Sequence, residues 1–346
     1  MSSAHGSKKS LYVALAANTG IAVCKFGGAL YTGSSAMLSE GVHSLVDTGN
    51  QLLLLFGMKD SSRQPDASHP FGYGLRLYFW GFVVAMMVFA LGSLVAINEG
   101  VEKVRHPHDI QYAWVNYIIL VIAIVLEGGS LRVALQDVAR QARKRKLSML
   151  ETIRRHRDPT VFAIVWEETA ALAGLVIALI GLGASQVLSM PVIDGYTSIG
   201  IGIVLAITSF GLARKCYSLM TGQAADPELS DRLWNILEGI KLVKEVNEIR
   251  TMHFGPDEVT MLASVDYHDE YNGKPITSRT LESITSDVSV TMREEFPGTK
   301  LRIYIEPQSN TRHLEELQEM GEEADALYTE EELAAEAAEA EGRSAA

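Results

Sequence analysis

The sequence predicts an α-helical membrane protein with six transmembrane helices, followed by a C-terminal cytoplasmic α+β domain of order α-β-β-α-β, ferredoxin-like in its layering. Three observations point there. A membrane span needs about 20 largely apolar residues, and six such segments fall between residues 11 and 212. From Asp226 onward the pattern changes to short amphipathic and alternating stretches. Lys and Arg gather in alternate loops, which is the bias of loops that stay cytoplasmic.

The first ten residues, MSSAHGSKKS, are polar and read as a cytoplasmic N-terminus (1–10). Leu11–Tyr31 is too long an apolar run for a secretory leader and ends in no clean cleavage site, so it reads as the first span. Ser34–Gly57, Leu77–Asn98, Ala113–Leu135, Val161–Leu182 and Ile193–Leu212 follow, which bounds a membrane domain at 11–215. The second of these is the most polar. Lys8 and Lys9, then Lys59, Arg63 and Arg76, then the run from Arg140 to Arg157, then Arg214 and Lys215, all fall on one side. The opposite loops hold only Lys103 and Arg105, so both termini are expected in the cytoplasm. The basic run reads as a positive-inside stop with an amphipathic helix on anionic lipid, in preference to a phosphate-binding patch. Asp158-Pro159 opens the fifth span, with Pro in the first helical turn.

Pro227–Ile240 places Leu229, Leu233, Ile236, Leu237 and Ile240 at helical spacing. Val246–Phe254 and Val259–Tyr267 read as strands around the turn Gly255-Pro256-Asp257. Thr277–Phe296 is a second helix, and KLRIYIE (300–306) alternates as a third strand. Residues 226–307 therefore form the α+β module. Beyond Pro307, 308–346 is an acidic, Ala- and Glu-rich tail, expected to be disordered or partly helical.

Hydrophobic residues make up 47% of the chain, yet the net charge is −12. Much of that charge sits in the tail. No soluble face carries the basic stripe that nucleic-acid binding requires. Cys24 and Cys216 are too far apart in sequence to suggest a disulfide framework or a CxxC metal site, and both read as small buried residues. No nucleophile–base–orienter set is visible, so no enzyme is expected. A resident cofactor is not expected either.

Chemistry concentrates where ionisable residues interrupt the spans. A charge at bilayer depth costs at least about 2.5–3.5 kcal/mol on insertion scales, so such residues are functional by default. His43 and Asp47 stand four apart in the second span, one turn above the other. The fifth span carries Glu167 and Glu168. If the two spans pack together, His43, Asp47 and Glu168 converge on one divalent metal ion and leave a coordination position open for exchange. Glu167 points about 100° away from Glu168 on a helix, so one of the two is expected to join. The rival reading is polar glue between helices.

Around this set, Asn18 and Lys25 share a face of the first span, with Lys25 a counter-charge to Glu40 or Glu168, or snorkelling. Asn50 and Gln51 lie one turn past Asp47, where they can hold the ligands. Glu127 in the fourth span relays protons or pairs with Arg132. In the loop DASHPFGYGLR, Asp66 and His69 are three apart and can ligate a metal. The same loop also makes a turn with aromatic anchors at the interface, which is the favoured reading. His253 and His268 read as structural or surface residues.

SEGVHSLVDTGNQ followed by HPFGYGLRLYFW, with six spans and the α-β-β-α-β module, resembles the cation diffusion facilitator family. The resemblance covers residues 11 to 307. The stretch DPTVFAIVWEETAALAGLVIALIGLG is most similar to the zinc transporter nine-like branch. The resemblance implies a homodimer that exports a divalent metal, most often zinc, in exchange for protons by alternating access. The ion would be substrate rather than cofactor, and the setting would be a bacterial inner membrane. His43 and Asp47 match the second-span ligand pair. Glu168 matches the second position of the fifth-span pair, while the first falls on Ile164, which cannot ligate. Asp66 and His69 match a secondary site whose third ligand position holds Tyr73. Asn247, Ala263 and Tyr304 stand where bacterial zinc exporters carry His, and Glu306 where they carry Asp, so the dinuclear site of the soluble domain is expected to be missing. Two other readings stay open. One is an exporter of the same family that prefers manganese, iron or cobalt; the other is a membrane metal sensor or scaffold without transport.

Overall fold

In a computed structural model, the residues described are 2–32, 35–107, 113–145, 148–149, 152–153 and 158–320. They divide into two units. The first takes Met1–Gln223 with the turn His253–Glu258, and the second Ala224–Met252 with Val259–Ala346.

Among the described residues six long helices build the first unit. They are α1 (Ser2–Thr32), α2 (Ser35–Ser61), α3 (Arg76–Arg105), α4 (Ala113–Arg145), α5 (Pro159–Leu188) and α6 (Val192–Met220). Helix α3 is two α-helical stretches, Arg76–Met87 and Leu94–Arg105, joined by a π-helical segment, Val88–Ser93. Among the described residues five helices are long and apolar enough to cross a membrane: all but α2. Glu40, His43, Asp47, Asn50 and Gln51 interrupt the apolar run of α2, although the chain is helical over almost the whole expected second span. The 33 residues of α4 reach roughly 50 Å at 1.5 Å per residue. That exceeds a hydrocarbon core of about 30 Å, so the helix continues past it.

Neighbouring helices follow one another in a ring, α1–α2–α3–α6–α5–α4 and back to α1, with α1 also meeting α5. Small residues set the closest approaches, as helices in lipid require. A side chain at Gly202 of α6 would lie 2.5 Å from Ile97 and 3.0 Å from the Ser93 carbonyl oxygen of α3. The Ser93 hydroxyl donates to the Gly202 carbonyl at 2.8 Å, so the π-helical segment is tied to α6. Gly100 and Gly195 likewise bring the two backbones together. Helix α5 starts where Asp158-Pro159 places it: the Asp158 carboxylate accepts from the Thr160 amide at 2.9 Å, and Pro159 occupies the first turn. Leu11, Leu54, Tyr78, Val138, Phe162, Ile164 and Leu219 pack in the core of this unit.

The second unit is an α/β module. Its helices are α7 (Pro227–Glu238) and α8 (Ser278–Glu295), and its three-stranded sheet has the order β1 (Val243–Gly255), β2 (Glu258–Tyr267), β5 (Lys300–Pro307). Leu233 and Leu237 of α7 and Val288 and Met292 of α8 share a core with Val259, Met261 and Val265 of β2 and Leu301 of β5. The sequence pattern misses a small hairpin, β3 (Glu270–Tyr271) with β4 (Lys274–Pro275). Its Asn272-Gly273 turn has positive φ at both residues, 54° and 68°, the pairing that two-residue hairpins favour. A further helix, α9 (Asn310–Met320), opens the acidic tail. The rest of the tail, 321–346, lies outside the described residues.

Candidate metal centre

Each helix lining the candidate site buries a stripe at helical spacing, and polar residues interrupt four of these stripes. On α1 the stripe runs Leu11, Ala14, Asn18, Ile21, Lys25. On α2 it includes Asn50, Gln51 and Leu54, with Asp47 half-buried one turn before. On α4 it runs Ile119, Ala123, Glu127, Ser130, Ala134, Val138. On α5, Ile164 and Glu168 are both buried, four residues apart.

These groups meet in the middle of the ring. Glu168, only 2% exposed, accepts a hydrogen bond from the Ser130 hydroxyl of α4 at 2.8 Å. The Glu127 carboxyl group approaches the Glu168 carboxyl group from α4. Across the ring, the Asn50 amide of α2 donates to Glu167 at 3.3 Å. Asp47 acts electrostatically on both Glu127 and Glu167, and Lys25, 9% exposed, acts on Glu127. Asp47, Glu127, Glu167 and Glu168 are thus linked electrostatically, and Lys25 is within reach of Glu127. Several acceptors stay open: Glu168 Oε2, Glu167 Oε2, Asn50 Oδ1 and Gln51 Oε1 are buried and receive no hydrogen bond among the described residues. A buried acceptor left open in this way is costly.

The two acids of α5 have partners on different helices. Glu167 faces α2 through Asn50, and Glu168 faces α4 through Ser130. The 100° separation on one helix turns them toward partners on two different helices. Lys25 acts on Glu127 rather than snorkelling away from the site. Arg132 is exposed, and the groups acting on Glu127 are Glu168, Asp47 and Lys25. Asn18 is buried on the Lys25 stripe. The side chains of His43 and Glu40 lie outside the described residues. Among those described, no three His, Cys, Asp or Glu side chains converge closely enough to enclose an ion. Sequence reasoning missed Ser130. Its signal was its place three residues after Glu127, on the same helical face.

The loop acids behave differently. Asp66 accepts from the Ser68 amide at 2.9 Å, the Ser68 hydroxyl at 2.7 Å, the His69 amide at 2.9 Å and the Tyr73 hydroxyl at 2.7 Å. Three of these bonds fall on Oδ1 and one on Oδ2, so the turn saturates Oδ1 and uses part of what Oδ2 offers. The hydrogen bonds from the Ser68 and Tyr73 side chains, with the His69 amide, hold the Asp66 carboxyl well below the ordinary carboxylate range. His69 stacks on Tyr73 with centroids 4.1 Å apart, and the Arg76 guanidinium lies 4.3 Å from the centroid of the same ring. Asp60 then anchors Arg76 at 3.1 Å. The aromatic turn is thus formed. In the second unit, the Asn247 amide donates to the Ser264 hydroxyl and the Gln308 carbonyl, both at 3.0 Å. Ala263 is buried, and Tyr304 and Glu306 are exposed.

The profile described as the cation efflux transmembrane domain matches residues 11–221, from α1 through α6. Among curated proteins, the chain is 32% identical over 277 residues to the human proton-coupled zinc antiporter SLC30A9, mitochondrial, covering 80% of this chain and 48% of that protein. It is 30% identical over 267 residues to metal tolerance protein C4 of Arabidopsis thaliana, covering 76% of this chain and 58% of the relative. It is 23% identical over 227 residues to the magnetosome protein MamB of Magnetospira sp. (strain QH-2), covering 65% and 71%. The chain spans about half the length of the zinc antiporters it matches. With the profile spanning all six helices that surround the buried carboxylates, this multi-pass membrane chain belongs to the cation efflux family.

Proposed function

We propose that the chain is a proton-coupled antiporter of divalent metal ions, with zinc the first candidate. The observation that supports this most is the set of Asp47, Glu127, Glu167 and Glu168, gathered against Lys25 inside a ring of apolar helices. Left bare, that much negative charge in a low-dielectric setting is strongly unfavourable. A divalent cation or protons remove the penalty, and both compete for the same oxygens. In this reading His43 and Asp47 of α2 and Glu168 of α5, with Glu167 beside it, hold the ion. Asn50 and Ser130 orient the carboxylates, and Asn18, Lys25, Glu40 and Glu127 surround them. Asp66 and His69 stay a turn.

The remaining features belong to the same proposal. Helix α2 is the sixth span. The site opens alternately to the two sides, and both termini face the cytoplasm of a bacterial inner membrane. Two copies associate through the second unit. The similarity to proton-coupled zinc antiporters supports the choice of ion and coupling. A second reading, an exporter that prefers manganese, iron or cobalt, draws on the burial of apolar Ile164 one turn before Glu168. That leaves oxygen donors dominant, and these suit harder ions.

The test is metal flux in proteoliposomes with an imposed pH gradient, screened over Zn²⁺, Mn²⁺, Fe²⁺ and Co²⁺, for the wild type and Asp47→Ala. Proton-driven uptake that Asp47→Ala abolishes is expected. Metal binding without flux would leave a sensor or scaffold. Flux at the wild-type rate in Asp47→Ala would remove Asp47 from the site.

A further inference from the structure

Glu127 is 6% exposed and sits in the middle of the buried stripe of α4, where a long apolar helix would otherwise present an aliphatic side chain. Its carboxyl group approaches that of Glu168, and it is within electrostatic reach of Asp47 and Lys25. Glu168 turns one oxygen to the Ser130 hydroxyl and leaves Oε2 buried with no hydrogen bond among the described residues. Two carboxyl groups this close, with Glu168 Oε2 receiving no hydrogen bond from Ser130, form a pair whose shared proton a cation could replace. Helix α5 offers no second ligand one turn before Glu168, because Ile164 fills that position.

We propose that α4 completes the centre, with Glu127 a direct ligand of the transported divalent cation. The ion would then be held among α2, α4 and α5, with oxygen donors in the majority. This rests on the reading of the chain as a divalent-metal transporter with its site at Asp47 and Glu168. It goes further by making a third helix part of the coordination sphere, so that loading the ion draws α4 toward α2 as well as toward α5.

The experiment uses the full chain, purified and titrated with Zn²⁺ and with Mn²⁺ by calorimetry, for the wild type, Glu127→Gln, Asp47→Asn and Glu127→Cys. Glu127→Gln keeps the shape and removes the charge. It is expected to weaken both metals by more than about tenfold, the lower bound of what a merely supporting residue costs. Glu127→Cys loaded with Cd²⁺ is expected to show a thiolate-to-cadmium charge-transfer absorption. The wild-type spectrum, which contains Cys24 and Cys216, is subtracted. Weakened binding by Glu127→Gln with no such band in Glu127→Cys would make Glu127 a positioning residue and overturn direct ligation. Wild-type affinity in Glu127→Gln, with binding lost in Asp47→Asn, would overturn the role of α4 and leave the α2–α5 site standing. Wild-type affinity in both variants would bring down the underlying reading together with the inference.

Discussion

Ser130→Ala tests the centre with the smallest available perturbation. It removes one hydroxyl from a buried position and leaves every carbon in place. The lost bond is the 2.8 Å donation from Ser130 to Glu168. A hydrogen bond to a charged group contributes about 1.5–3 kcal/mol in soluble proteins. Bonds between membrane helices average about 0.6 and reach about 1.7 kcal/mol. A charged acceptor between membrane helices falls where these ranges meet, at about 1–2 kcal/mol. That corresponds to a roughly five- to thirtyfold change in an equilibrium constant. The bond fixes the Glu168 carboxylate where an ion would meet it, so the loss is expected in metal affinity. The assay is zinc binding by calorimetry together with the initial rate of zinc uptake into proteoliposomes. Zinc affinity is expected to fall five- to thirtyfold in Ser130→Ala and to recover in Ser130→Thr, which restores the donor. Ser130→Ala within twofold of wild type in both measurements would refute the role of this bond. Equal losses in Ala and Thr would assign the effect to packing.

Three further outcomes are expected. Gly202→Val would put a side chain 2.5 Å from Ile97 and 3.0 Å from the Ser93 carbonyl, so overpacking of about 1–3 kcal/mol should lower the unfolding temperature in detergent; an unchanged temperature would mean α3 and α6 do not pack this closely. Asp66 is held below its ordinary value of 3.8, chiefly by Ser68 and then Tyr73, so its stabilisation of the turn is complete above that value and lost only as pH falls through the lower folded value; a side-chain carboxyl titration by NMR with a midpoint at or above 3.8 would contradict the turn geometry. If the chain is a dimer, its association should survive exhaustive chelation, since the Asn247 amide is already engaged with Ser264 and Gln308; dissociation on chelation, followed by light scattering, would reveal a structural metal in the second unit.

What was legible in the sequence and what was not follows from how far each signal reaches along the chain. Helices α1 and α3 to α6 announce themselves through long, largely apolar runs, and Asp158-Pro159 marks the start of α5 within a single turn. Helix α2, read from the sequence as the second span, is not among the five helices apolar enough to cross a membrane, because the residues that make it interesting also dilute its hydropathy. Asn247, Ser264 and Gln308 join through pairings 17 and 61 residues apart, which no local pattern encodes. In the centre, Asp47, Glu127, Glu167 and Glu168 stood out as charges in spans. Their grouping did not, because it depends on the order of helices around the ring. Spacing on α5 alone suggested choosing between Glu167 and Glu168. The ring sets α4 beside α5 and α2 across from it, so the two acids meet different helices.

That division bears on how a transporter of this kind couples ion and proton. A site made from two ligands on one helix and two on another is symmetric, and one closure serves both. Here the acids of α5 look toward different helices: Glu167 toward Asn50 on α2, Glu168 toward Ser130 and Glu127 on α4. An ion held among Asp47, Glu127 and Glu168 would leave Glu167, beside Asn50, as the acid in need of a proton. Two carboxylates at close range resist ionising together. With four acids against Lys25 among the described residues, one divalent ion would not neutralise the excess, and under the proposed function the protons that complete the balance would leave or enter as the ion moves. Under the proposed function, the exchange of metal for protons therefore follows from the charge count and from the placement of the acids on α2, α4 and α5. It needs no separate proton pathway with ligands of its own.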